Sequence, residues 1–212
     1  IDSGLSRQSR FDPNTGMEGL ETVPSSLASA NQRQGRAGRQ GPGQCVRLWS
    51  LAEQLRKPEH APPEILVADP MPVVLELAAW GAGLGETLPW IDPPPQSTLQ
   101  KGRQQLINLN ALNHDGRITT LGRQLCKLGI HPRLGILLLQ AKGWGCEALG
   151  AELAALLGDR DPLNSHQVGS DLRTRLDWLR QDQRDIHRSA RQAHQQMRRL
   201  SQRLLGQLKT IR

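Results

Sequence analysis

The sequence predicts a mainly α-helical protein with a small α/β part at its start. Three observations carry that expectation. Apolar residues recur at helical spacing through much of residues 72–204. Short extended runs separated by turn residues occupy 1–28, and another lies at 45–49. Proline- and glycine-rich strings cut the chain at 57–63, 81–85 and 90–95. The 212 residues suffice for one sizeable domain or two small ones. A net charge of +7 favours a polyanionic partner such as nucleic acid. With 3% aromatic residues and no Tyr, a base-stacking platform is disfavoured. Cys45, Cys126 and Cys146 form no Cys-x-x-Cys pair, so reduced thiols of a cytoplasmic protein are expected rather than disulfides or a metal site. No apolar run reaches the ~18 residues of a membrane span. The start at Ile1-Asp2-Ser3-Gly4, with neither Met nor signal peptide, reads as a strand entered midway in a longer protein.

Arg10-Phe11 and Leu20-Glu21-Thr22-Val23 flank the turn cluster Asp12-Pro13-Asn14-Thr15-Gly16. A β-hairpin fits this pattern, and an ordinary connecting loop competes with it. Ser29, with Gln32 three residues on, predicts a capping box at a helix start. In such a helix Gln32, Arg36 and Arg39 fall at i, i+4 and i+7 on one face. One amide and two guanidinium groups there suit phosphate oxygens, toward which arginine forks its donors. Gly35, Ala37 and Gly38 permit close approach of another surface, at ~1 kcal/mol of helix propensity per glycine. A merely solvated basic face has no use for those glycines; a docked phosphate does. Gly41-Pro42-Gly43 should then stop the helix, and Cys45-Val46-Arg47-Leu48-Trp49 should form a strand.

After the boundary at Lys57–Glu64, Pro72 to Gly81 suits a short helix through Val73, Val74, Leu77 and Ala78. Gly81–Gly85 has no preceding strand and no Gly-Lys-Ser/Thr ending, so it is a loop and not a phosphate cradle. Trp90–Pro95 is a stiff connector. Gln96 to Leu112 is helical, with Leu99, Leu106, Leu109 and Leu112 as its stripe. The turn Asn113-His114-Asp115-Gly116 leads through Arg117-Ile118-Thr119 into a helix across Gly122 and Leu128. Helix, turn, short strand and helix fit a winged-helix unit. Two apolar helices follow at Leu134–Lys142 and Cys146–Leu157. His131, ahead of a proline, is structural, and the five tryptophans are assigned to core or interdomain packing. Leu172, Leu176, Leu179, Ile186, Ala190, Ala193, Met197, Leu200 and Leu204 then follow a 4-3 spacing interrupted near Gln183, giving one long helix or two stacked ones. Arginines between 173 and 203 are either a solvated face or contacts to a phosphate backbone.

Gln32-Arg33-Gln34-Gly35-Arg36-Ala37-Gly38-Arg39 resembles the last signature motif of the DEAH-box branch of superfamily 2 helicases, Gln-Arg-x-Gly-Arg-Ala-Gly-Arg, at all seven fixed positions. Ser26-Leu27-Ala28-Ser29 looks like its usual lead-in. Pro63–Leu66, Trp90–Pro94, His131–Leu134 and Asp159–Leu163 are similar to the bacterial HrpB-type subgroup. The resemblance implies the end of a second RecA-like lobe at 1–54, a winged-helix domain at 55–122 and an incomplete helical ratchet bundle at 123–212. It implies a hairpin lying against nucleic acid. It also implies nucleotide contacts from Gln32, Gly35, Arg36 and Arg39, with Arg36 and Arg39 as catalytic arginine fingers on the γ-phosphate. ATP with Mg2+ would be held mainly by a first lobe, and RNA would be the partner. Neither Gly-x-x-x-x-Gly-Lys-Ser/Thr nor Asp-Glu-Ala-His occurs in the sequence, so the chain alone should hydrolyse nothing. The rival from another class is a non-catalytic winged-helix nucleic-acid-binding protein, dimerised through the 172–204 stripe.

Overall fold

The computed structural model describes residues 1–12, 17–163 and 168–211. It contains two compact units, residues 1–70 with 88–99, and residues 71–87 with 100–212.

The first unit begins with a hairpin. Strand β1 (Leu5–Asp12) pairs antiparallel with β2 (Met17–Pro24), in a register running from Leu5↔Pro24 to Asp12↔Met17. The connecting-loop alternative therefore falls; residues 13–16 of the expected turn lie outside the described residues. The hairpin buries little, since Leu5 and Leu20 are exposed. Its ladder hydrogen bonds carry it. The exposed Arg10–Glu21 cross-strand pair at 3.3 Å adds little in water.

Helix α1 (Leu27–Ala37) is capped three residues before the expected position. Ser26, extended after Pro24-Ser25, accepts from the Ser29 amide at 3.2 Å, so Ser29 lies inside the first turn. The helix closes at Gly38, ahead of the Gly-Pro-Gly string, which leaves Arg39 beyond its end. Gly43 folds back onto that end, where a Cβ would overlap the Ala37 carbonyl. The strand expected at 45–49 is one parallel bridge, Asp2↔Arg47. The Asp2 amide donates to Val46 O at 2.8 Å and the Leu48 amide to Asp2 O at 2.9 Å. A helix unforeseen in the sequence, α2 (Leu51–Arg56), follows a full capping box between Ser50 and Glu53.

The second unit is helical. Helix α3 (Pro70–Trp80) runs into a loop whose Gly81, Gly83 and Gly85 all have positive φ. Helix α4 (Gln96–Asn108) ends four residues earlier than expected, in a turn where Asn110 is left-handed. The wing is minimal, a Leu112↔Ile118 bridge closed by the Asn113 amide on Arg117 O at 2.9 Å. Helix α5 (Thr120–Leu128) begins at its Thr119 cap and stops at left-handed Gly129. Helix α6 (Pro132–Gly143) is capped by His131, whose Nδ1 accepts from the Arg133 amide, a structural role as expected. Helix α7 (Glu147–Gly158) approaches α6 so closely that Gly150 has no room for a Cβ beside Ala141.

Two helices close the unit, α8 (Leu172–Arg180) and α9 (Arg191–Thr210). The buried face of α9 is His194, Met197, Leu204 and Leu208, packed mainly on α7. Ala193, assigned to the stripe from sequence, is exposed, and His194 takes its place. The His194 ring meets Trp178 edge-on, 5.0 Å between centroids, with Nε2 3.1 Å from Leu179 O. The stripe is thus consumed inside the chain and leaves no free dimerisation arm. Of the tryptophans, Trp178 lies in the core, whereas Trp80 and Trp144 are exposed.

Candidate functional site

Successive residues of an α-helix are about 100° apart. On α1 this puts Gln32 and Arg36 about 40° apart on one side, and Asn31 and Gln34 on the other. The structure uses the two sides differently. Arg47 donates to Asn31 Oδ1 and Gln34 Oε1, both at 2.7 Å, and also reaches Gln54 Oε1 at 3.4 Å. Arg33, on the flank between, donates through Nε to Asp2 Oδ2 at 3.0 Å and reaches Leu5 O at 3.2 Å. Its second terminal nitrogen lies 2.9 Å from Asp2 Oδ1.

Asp2 is buried, and its Oδ1 also accepts from the Gly4 amide at 2.9 Å. Burial by itself would raise this carboxyl. The Gly4 and Arg33 hydrogen bonds, with the nearby positive charges of Arg33 and Arg47, outweigh burial and hold it below the ordinary carboxylate range. Behind the helix, Trp49 hydrogen-bonds Gln54 at 2.7 Å, and Lys57 Nζ sits 4.7 Å from its ring centroid. Gly4, at φ +74, faces the Trp49 ring where a Cβ would clash.

The opposite face is unused. The side chains of Gln32, Arg36 and Arg39 are all exposed and make no hydrogen bond or ion pair with any described residue. Gly35 has open space where a side chain would stand. Of the residues read from sequence, the structure therefore brings Gln32, Gly35 and Arg36 together on α1, with Arg39 in the turn just past Gly38. Such a face can offer an amide and forked cationic donors to an oxyanion. Sequence reasoning missed the residues that hold it. Arg33 sat unassigned within the motif, and nothing local to Arg47 announces partners 13 and 16 residues away. Among the described residues no group of three or more His, Cys, Asp and Glu is placed to hold a metal ion.

The C-terminal arginines divide. Arg175 is buried against Asp161, at 2.5 to 3.1 Å, and also holds the carbonyls of Asp171 and Gly169. That hydrogen bonding lowers the Asp161 carboxyl and raises Arg175. Arg180 pairs with Glu152 at 2.6 Å. Arg199 and Arg203 instead line an open groove of about 500 Å³ with Gln192, Gln195, Gln196 and Asp159.

Residues 103–130 match the family described as helicase associated domain (HA2), winged-helix. Together with relatives and a solved structure that match most of the chain, this places it among the DEAH-box helicases, as a segment. It is a homologue of HrpA and HrpB. It is 37% identical over 167 residues to the ATP-dependent RNA helicase HrpA of Escherichia coli (strain K12), covering 76% of this chain and 13% of that protein. With the ATP-dependent RNA helicase HrpB of the same organism it shares 34% over 169 residues, covering 80% and 21%. The pre-mRNA-splicing factor ATP-dependent RNA helicase prp22 of Schizosaccharomyces pombe is 36% identical over 158 residues, covering 74% and 14%. The crystal structure of Escherichia coli DEAH/RHA helicase HrpB matches with a TM-score of 0.79 at 32% identity, over 99% of this chain and 24% of that one. The chain thus spans only 13 to 21% of the length of these curated relatives.

Proposed function

We propose that this chain supplies the arginine side of a nucleotide site in a cytoplasmic ATP-dependent RNA helicase. The observation that carries this reading is the unpartnered pair Gln32 and Arg36 on one face of α1, with Arg39 beside it in the following turn. ATP with Mg2+ contributes the scissile phosphoanhydride and is held mainly by a first lobe, since these residues contain no phosphate-binding loop. Gln32 orients the terminal phosphate through its amide. Arg36 and Arg39 offset the negative charge that develops on the equatorial oxygens during phosphoryl transfer. Gly35 leaves the room that such an approach needs.

Residues 1–54 act as the end of a second RecA-like lobe, 55–122 as the winged-helix domain and 123–212 as the start of a ratchet bundle. Closure around ATP and reopening after hydrolysis shift these parts along one RNA strand. RNA is favoured by the names of the relatives and by the +7 charge. The chain by itself, lacking the phosphate-binding half, hydrolyses nothing.

In the full-length helicase, Arg36→Ala or Arg39→Ala should lower ATP turnover by about 10³-fold or more. ATP affinity, measured with a fluorescent analogue, should stay near wild type. Near-normal turnover in both variants would reject the assignment. The winged-helix dimer gains no support, because its expected interface is occupied by α7.

A further inference from the structure

We propose that Arg47, outside the signature motif, is a positioning residue that sets the rotation of α1 and so the aim of Arg36. This rests on the reading of Arg36 as a phosphate-facing group. A helix of 11 residues is touched at its two ends, by the Ser26 cap and by Gly43 against the Ala37 backbone, and neither contact fixes which way its side chains face. Its buried anchor is slight: Ala30 is its only fully buried residue. Polar ties must therefore set its rotation.

Arg47 supplies two of them from one guanidinium nitrogen, to Asn31 and Gln34, which are i and i+3 on the helix and opposite the Gln32–Arg36 face. Arg33 supplies a third on the flank, through Asp2. The two arginines share a hub. The Asp2 side chain holds Arg33, while the Asp2 backbone pairs on both sides of Arg47, through Val46 O and the Leu48 amide. Arg47 is fixed in turn by Gln54 of α2 and by the face of Trp49, 5.5 Å from its guanidinium carbon. The motif helix is thus gripped on one side and bare on the other. The grip comes from a segment eight residues past the motif.

The mechanical consequence is specific. Loss of the Arg47 ties leaves the composition of the phosphate-facing side unchanged and lets it turn. A misplacement of about 1 Å at a catalytic group costs on the order of 10² in rate. The cost should fall on kcat, because ATP itself is held by other residues.

The test uses the full-length helicase with three variants: Arg47→Ala, the double Asn31→Ala/Gln34→Ala, and their combination. Arg36→Ala runs in parallel. The first two should each lower kcat on the order of 10²-fold with the KM for ATP unchanged. The triple variant should be no slower than Arg47→Ala, because all three remove the same contact. Hydrogen exchange should quicken in residues 27–37 without spreading to the rest of the protein. Arg47→Lys, which keeps the charge but not the fork, should recover only part of the rate. The double variant keeps Arg47 on Trp49 and Gln54, so it reports on the ties even if Arg47→Ala misfolds.

Wild-type kcat in the double variant while Arg36→Ala is inactive would overturn this proposal and leave the proposed function standing. Wild-type kcat in Arg36→Ala would overturn both. A rate loss accompanied by unchanged exchange in α1, or by exchange raised everywhere, would reduce Arg47 to a general structural role and overturn the proposal as well.

Discussion

The motif contains three arginines with two fates, and the difference is local electrostatics. Arg33 faces a buried carboxylate and is paired, whereas Arg36 and Arg39 face solvent and are not. Burial of Asp2 acts against its charged form, yet the Gly4 amide and Arg33 prevail and lower its pKa. The sign follows from linkage. A carboxyl depressed in the folded state contributes its full stability above its unfolded value of about 3.9. That contribution is lost as pH falls below this value and through the folded pKa. Exchange protection of the α1 amides should therefore be flat from neutral pH down to about 4 and fall below it. In Asp2→Asn the protection should start lower and lose this acid-dependent step. An unchanged step in that variant would show that another carboxylate is responsible. Arg33→Ala should lower the neutral-pH protection of α1 further than Asp2→Asn does, because it leaves the Asp2 carboxylate with the Gly4 amide but without its paired charge.

At the scale of elements, the capping of α1 gives a sharp comparison. Ser26→Ala should cost about 1 kcal/mol of local stability, and Ser29→Ala none, since alanine is the better helix former inside the first turn, measured by exchange of the α1 amides. The reverse order would restore the cap expected from sequence. Ser29 with Gln32 looked the better capping box, and the structure prefers Ser26. The extended Pro24-Ser25 approach, with both serines buried, fixes where the helix can begin. The helix itself and the Gln32–Arg36 face were legible, because i, i+4 spacing is a property of the sequence. Arg39 was not, since Gly38 ends the helix one residue before it. The hairpin was legible from its turn residues, and α5 from Thr119 and Gly129. Helix α2 was legible in Ser50-x-x-Glu53 but passed over beside the expected strand. That strand is reduced to the Asp2↔Arg47 bridge, a pairing with a residue 45 positions away that no local pattern states. On α9 Met197 and Leu204 were read correctly, but Ala193 was taken in place of His194, which is polar yet fills an apolar slot against Trp178. The grip of Arg47 lay beyond any local pattern, since its partners meet it only in the folded chain.

The two units of the molecule differ in what sustains them. Among the described residues, the buried apolar side chains of the first unit are Ala30, Leu99 and two prolines, Pro70 and Pro94. The same unit leaves Ile1 at 92%, Leu51 at 84% and Leu55 at 87% exposure. The second unit buries Leu106, Leu125, Leu128, Leu138, Met197, Leu204 and Leu208 together with three alanines of α7. At about 25 cal/mol per Å² of apolar surface removed from water, the larger share of stability belongs to the second unit. The first is held by strand pairing and by the polar ties around Asp2 and Arg47. Native-state hydrogen exchange of the 212-residue chain should therefore separate them. Amides in α6, α7 and α9 should exchange only through an opening that scales with denaturant as global unfolding does. Amides of β1, β2 and α1 should exchange through a smaller opening of lower free energy, less sensitive to denaturant. Equal protection with one common denaturant dependence would show that the arginine-bearing unit has a cohesion its side chains do not account for. If the separation is found, the proposed function gains a physical consequence. A unit with so little core has apolar surface left to bury, which the remainder of the proposed second lobe would cover, steadying α1 and its bare arginine face.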